Sequence, residues 1–123
     1  MRLDGREDTS PMDRLDQLRA RSRHEIEAHQ GDLDSTDTGR YFIGEASELL
    51  AALRLWVQSQ YRSDQVVREI LEAGDAVALG GVARQLEELG TTDGWAASES
   101  VALISNRPSG ELMATAGYAL RAL

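Results

Sequence analysis

YFIGEASELLAALRLWVQSQY, residues 41–61, is the stretch whose reading decides the fold. At about 100° per residue, Phe42, Ile43, Ala46, Leu49, Leu50, Leu53, Trp56 and Val57 share one broad face of a helix. Ala51, Ala52 and Leu55 lie on its other side. A helix that is apolar on more than one side touches neighbours on several flanks, so this segment is expected at the centre of a helical core.

Downstream, the punctuation is that of further helices. Ser63 offers an N-cap with Asp64 in the first turn, Val66, Val67, Ile70 and Leu71 pair at i, i+4, and Gly74 supplies a left-handed stop. Asp75 caps the next helix, which carries Val77, Leu79, Val82, Leu86 and Leu89 as far as Gly90. Gly80-Gly81 within it predicts a kink or a close packing contact. Thr91 to Gly94 reads as a loop and Trp95 to Ser105 as a short helix, with Val101 to Ile104 alternatively a strand that would find no partner. Asn106 to Gly110 breaks the chain, and Glu111 to Leu123 forms a terminal helix.

Upstream, residues 1–9 read as a flexible polar tail. Ser10-Pro11 marks a helix start, with proline at the first helical position, and the helix is expected to run to about Gln30 with Gly31 as its stop. Met12, Leu15, Ser22, Ile26, His29 and Leu33 fall in one thin stripe, with Leu18 at its edge. Residues 10–30 are therefore expected to be a peripheral helix, joined by an acidic linker at 31–39 to core helices over 40–123. The expected fold is all-α: a single compact bundle of about five to six helices in antiparallel hairpins.

Composition agrees. The 123 residues suit one domain, and 41% hydrophobic residues, mostly leucine and alanine, suit a helical core. There is no cysteine, which excludes disulfides and thiolate metal sites. No apolar run approaches the roughly 20 residues of a membrane span, and the first ten residues lack an apolar signal core; a soluble, cytoplasmic protein is expected. The net charge is −8, and lysine is absent, so every cation apart from the histidines is arginine. Such a surface disfavours direct contact with phosphate backbones and anionic lipid. ALGGVARQLEEL (78–89) and LMATAGYALRAL (112–123) echo each other at an offset of 34, the period of the tetratricopeptide repeat. The aromatic and proline positions of that repeat are not met in order, so the echo supports helical hairpins and not membership of that family.

No motif carries catalysis. HEIEAH (24–29) imitates the zincin pair, but its histidines are five apart and point about 140° away from each other on a regular helix. One packed histidine, His29, and one solvated histidine, His24, are expected instead. Glu45 and Glu48 read as solvated charges, and no Glu-x-x-His is present for a di-iron site. There is no Gly-x-Ser-x-Gly elbow, and Gly80-Gly81 lacks the Lys-Ser/Thr of a P-loop. A helix–turn–helix drawn over Val82 to Leu103 would have a recognition helix without a basic residue. Arg14, Arg19, Arg21 and Arg23 flank the thin stripe among acids, as a salt-bridged outer face would. No catalytic, cofactor-binding or metal-binding residue is therefore assigned, and no cofactor is expected.

What remains is a non-enzymatic protein–protein interaction module (an adaptor, regulator or assembly subunit) acting through helical surfaces on a protein partner or on itself. An acidic decoy for a nucleic-acid-binding protein is one alternative, although acids and arginines are spread evenly: ten and six in residues 1–39, eleven and seven in 40–123. A small helical enzyme, its site assembled from distant residues such as His29, Tyr41 and Arg54, is the other.

Overall fold

The computed structural model describes residues 11–29, 35–60 and 62–123. Among them it has six helices and no strand: α1 (Pro11–Glu27), α2 (Asp37–Ser59), α3 (Asp64–Ala73), α4 (Ala76–Glu88), α5 (Thr92–Ser105) and α6 (Ser109–Leu120). The all-α bundle expected from the sequence is what forms, and Val101 to Ile104 lie inside helix α5 rather than in a strand.

α2 is the central helix. It packs against each of the other five, and an unbroken run from Leu49 to Val57 is buried, so its flanks are covered on all sides along this stretch. α1 runs antiparallel to it. Arg14 near the start of α1 reaches Gln58 near the end of α2, while Ser22 and Glu25 meet Arg54. The thin stripe of α1 is the face that docks: Leu15, Leu18, Ser22 and Ile26 are buried. α4 and α5 form a second antiparallel hairpin, in which Ser98 Oγ donates to the Ala83 carbonyl at 2.7 Å. α6 lies against α2 and α3. The two segments that echo each other in sequence therefore have different neighbours, α4 leaning on α5 and α6 on α2 and α3, which is not repeat stacking.

Several boundaries differ from the sequence reading, each for a local reason. α2 starts at Asp37, inside the expected linker, because Thr36 Oγ1 accepts from Gly39 N at 2.9 Å and Asp37 sits where the helix dipole favours an acid. α5 starts at Thr92, so the expected loop at 91–94 is its cap and first turn, with Thr91 Oγ1 accepting from Gly94 N at 2.9 Å. α6 starts two residues early, since the Pro108 carbonyl already accepts from Leu112 N. α1 ends at Glu27, and His29 then lies in a turn with its N–H on Ile26. The 100° phase that put His29 on the stripe does not extend there, and His29 is exposed rather than packed. The expected tail at 1–9, the Ser10 cap, and Gln30, Gly31 and Leu33 lie outside the described residues.

Gly74 ends α3 at φ 58° and Gly90 follows α4 at φ 68°, both in the left-handed region where glycine carries no Cβ penalty. Gly80 and Gly81 lie within the unbroken α4, and a Cβ at either would meet nothing within 4 Å, so neither marks a close packing contact. Gly94 is the glycine that packing requires: a Cβ there would lie 2.5 Å from the Leu86 carbonyl oxygen. It lets the first turn of α5 come hard against the last turn of α4. Val77, expected on the apolar face of α4, is 83% exposed, because α4 begins at Ala76 and its first turn projects past the core.

Candidate binding groove

At the end of the bundle where α1 begins and α2 finishes, the α4–α5 turn completes the walls of an open groove of about 810 Å3. Leu18, Leu55 and Leu89 supply its apolar surface, and Arg14, Gln17, Gln58 and Ser59 its polar edges. The Arg14 guanidinium rests on Gln58 Oε1. Ser59 Oγ donates to the Trp56 carbonyl at 2.7 Å, which leaves its oxygen able to accept. Arg21, two turns further along α1, pairs with Glu25 at 3.3 Å.

Asp93 is the unusual member of the set. Only 3% of it is exposed, and its Oδ1 has no hydrogen-bond partner among the described residues. Burial pushes its carboxyl above the ordinary value. The Leu15 and Arg14 N–H groups and the Arg14 charge pull it down, and nearby Asp16 pushes it further up. A buried polar atom left unmet costs about 1–3 kcal/mol, so this oxygen weighs against the stability of the fold. Sequence reading missed Asp93, since a lone aspartate beside Gly94 looks like loop chemistry; the cap spacing Thr91 to Gly94 was the available signal.

Fifteen angstroms or more of α2 separate this groove from a contrasting arrangement at the other end of the bundle. There Phe42 stacks on Tyr118 with centroids 6.1 Å apart, Tyr41 meets Phe42 edge-on, and Arg121 lies 4.2 Å over the Tyr118 ring. Arg107 grips Glu45 at 3.1 Å.

The residues weighed for a dispersed enzyme site are not brought together. Tyr41 and Arg54 stand thirteen positions apart on α2, about 20 Å along its axis. Arg54 is buried against α1, where its guanidinium meets Glu25 Oε1 at 2.5 Å and Ser22 Oγ at 3.1 Å. Burial raises the Glu25 carboxyl, but the hydrogen bonds and charges of Arg54 and then Arg21 outweigh it, leaving it below the ordinary value. His24 and His29 are both exposed, and no group of three metal-ligating side chains occurs among the described residues. Glu45 and Glu48 are not the free surface charges expected: Glu45 holds Arg107, and Glu48 pairs with Arg19 at 3.0 Å and accepts from Ser100 at 3.2 Å. Three of the four α1 arginines pair with acids on the same helix, Arg19 with Asp16, Arg21 with Glu25 and Arg23 with Glu27, while Arg14 rests on the Gln58 amide instead. Among the described residues no helix is long and apolar enough to cross a membrane.

No protein-family model, no curated protein and no solved structure matches the chain.

Proposed function

We propose that this chain is a protein–protein interaction module whose groove between α1, α2 and the α4–α5 turn receives a segment of a partner protein. The observation that carries this reading is one open groove in which Leu18, Leu55 and Leu89 meet the polar side chains of Arg14, Gln17, Gln58 and Ser59. Interaction sites combine an apolar anchor surface with a few fixed polar groups that set orientation, and this groove has both. Its walls come from helices and a capped turn, which hold the lining groups in place more firmly than a long loop would. A decoy built on net charge draws less support, because acids on α1 and α2 such as Asp16, Glu25 and Glu45 are committed to arginines of the same chain.

The test is to fill the groove without touching the core. Gln17 and Gln58 are exposed lining residues, so Gln17→Trp and Gln58→Trp are expected to keep the helical circular-dichroism spectrum. Proteins cross-linked to the wild-type chain in its source cells should be lost with both variants and retained with Tyr41→Ala at the opposite end. Equal capture by the filled variants would remove the groove as the binding site.

A further inference from the structure

We infer that the partner segment taken by this groove presents one carboxylate side chain between aliphatic residues, the carboxylate accepting from Arg14 and Arg21 and its neighbours resting on Leu18, Leu55 and Leu89; the inference rests on the groove being a protein-binding site. Arg14, Gln17, Leu18 and Arg21 follow the i, i+3, i+4, i+7 spacing, so they form one stripe along two turns of α1, and all four line the groove. The polar groups open on that stripe are rich in donors. Arg14 uses Nε and one Nη on the Gln58 amide oxygen, and Arg21 uses its Nε on Glu25, which leaves N–H groups on both guanidiniums. Two acceptors of the wall are already taken, Gln58 Oε1 by Arg14 and Thr91 Oγ1 by the Gly94 N–H. Asp93 is enclosed and faces the backbone N–H groups of Leu15 and Arg14, so it offers an occupant nothing.

Charge points the same way. The charged side chains that line the groove are Arg14, Arg21 and the enclosed Asp93, so its surface is cationic. Arg14 is held by a neutral amide. Arg21 shares its acid: Glu25 gives Oε1 to the buried Arg54 at 2.5 Å and Oε2 to Arg21 at 3.3 Å, so two guanidiniums divide one carboxylate. Arg21 is the open member of that pair, its side chain 65% exposed against 5% for Arg54. Asp16 is paired with Arg19 at 3.1 Å. A guanidinium meets a carboxylate through two parallel N–H bonds, a fit that a neutral amide does not reproduce. The chain as a whole carries −8, which opposes a run of acids in the partner and limits the fit to one carboxylate among apolar residues.

The experiment is a 15N NMR titration of the full chain with acetyl-Leu-Glu-Leu-amide, with its glutamine and arginine counterparts, and with inorganic phosphate. The glutamate peptide is expected to shift the amides of Leu18, Leu55 and Leu89 and the Nε signals of Arg14 and Arg21. It should bind about tenfold more tightly than the glutamine peptide, the worth of one charge-assisted hydrogen bond. The double variant Arg14→Gln, Arg21→Gln, both exposed positions, should erase that gap, and a gap that survives in it overturns the inference. If the glutamine peptide binds the wild type as tightly as the glutamate one, the groove remains a binding site and the preference for an acid is wrong. Tightest binding of the arginine peptide overturns the preference too. Phosphate that matches the glutamate peptide does the same, because the leucines would then contribute nothing. If no probe moves a groove amide, the preference falls together with the binding role of the groove. Should the double variant lose its folded spectrum, the wild type answers through salt: a preference for glutamate over glutamine that shrinks several-fold from about 0.02 to about 0.2 M sodium chloride supports the inference, and one that ignores salt refutes it.

Discussion

Two buried charged side chains, each facing α1, are treated in opposite ways. Arg54 on α2 is enclosed by Ser22 and Glu25, and the pairing holds Glu25 below its ordinary acidity range. Asp93 on α5 is equally enclosed but keeps one oxygen unmet, and burial holds it above that range. The first arrangement fastens α1 to the core. The second leaves a buried oxygen without a partner at the junction of α5 and the start of α1, at a cost in stability.

The largest effect should come from breaking the fastened side. Glu25→Ala leaves the Arg54 guanidinium buried with Ser22 alone, and is expected to cost about 2–3 kcal/mol; the buried-pair range is discounted because Glu25 is 29% exposed. Arg54→Met removes the charge as well as the pair and should cost less than Glu25→Ala. Urea unfolding of both checks the order, and the reverse order would mean that the pair is not what holds α1.

Next comes the packing that puts Asp93 where it is. Gly94→Ala drives a methyl into the Leu86 carbonyl oxygen, so the hairpin must open. A loss of about 1–3 kcal/mol is expected, read as a drop in thermal midpoint. Gly80→Ala, which meets nothing, should instead gain about 1 kcal/mol from helix propensity.

Asp93→Asn should be the mildest of the set at its own site and the most informative. The amide keeps the shape and drops the charge, so stability at neutral pH is expected to stay level or rise by up to about 1 kcal/mol. A loss above about 2 kcal/mol would show that the carboxylate is structurally committed, and the contrast with Arg54 would disappear.

The smallest effects are in pH dependence, and their signs separate the two groups. Glu25, lowered in the fold, contributes stability that is full above its unfolded value and lost as pH falls through its depressed folded value. Asp93, raised in the fold, holds its proton more tightly folded than unfolded. Its contribution is full below the ordinary carboxylate value and lost as pH rises through its elevated one. Denaturation midpoints measured across that range should lose their acid-side decline in Glu25→Gln, and should lose the decline just above the ordinary carboxylate range in Asp93→Asn.

Much of the fold was legible in residues 41–61, since a helix apolar on two sides has few places to go but the centre. Local punctuation was legible as well: Gly74 and Gly90 stop helices, and Asp75 caps α4 through Val77 N at 2.9 Å. Thr36 and Thr91 were not recognised as caps, because a threonine in a turn-rich stretch looks the same whether or not the helix behind it begins early. The groove was not legible at all. Its lining runs from Arg14 to Asp93, and no spacing rule connects residues that far apart.

The sequence by itself determined an all-helical chain of about five to six helices, the central place of the one containing Leu49 to Val57, and where most helices stop. These follow from periodicity and from bonds that span three or four residues, which are properties of a short segment. Only the tertiary structure decided that Arg54 would be met from 29 residues away, that one oxygen of Asp93 would be left unmet, and that Gly94 would touch Leu86. Those outcomes depend on how rigid helices settle against one another, and a change of a few ångströms in that docking would rewrite each of them without altering a single local signal.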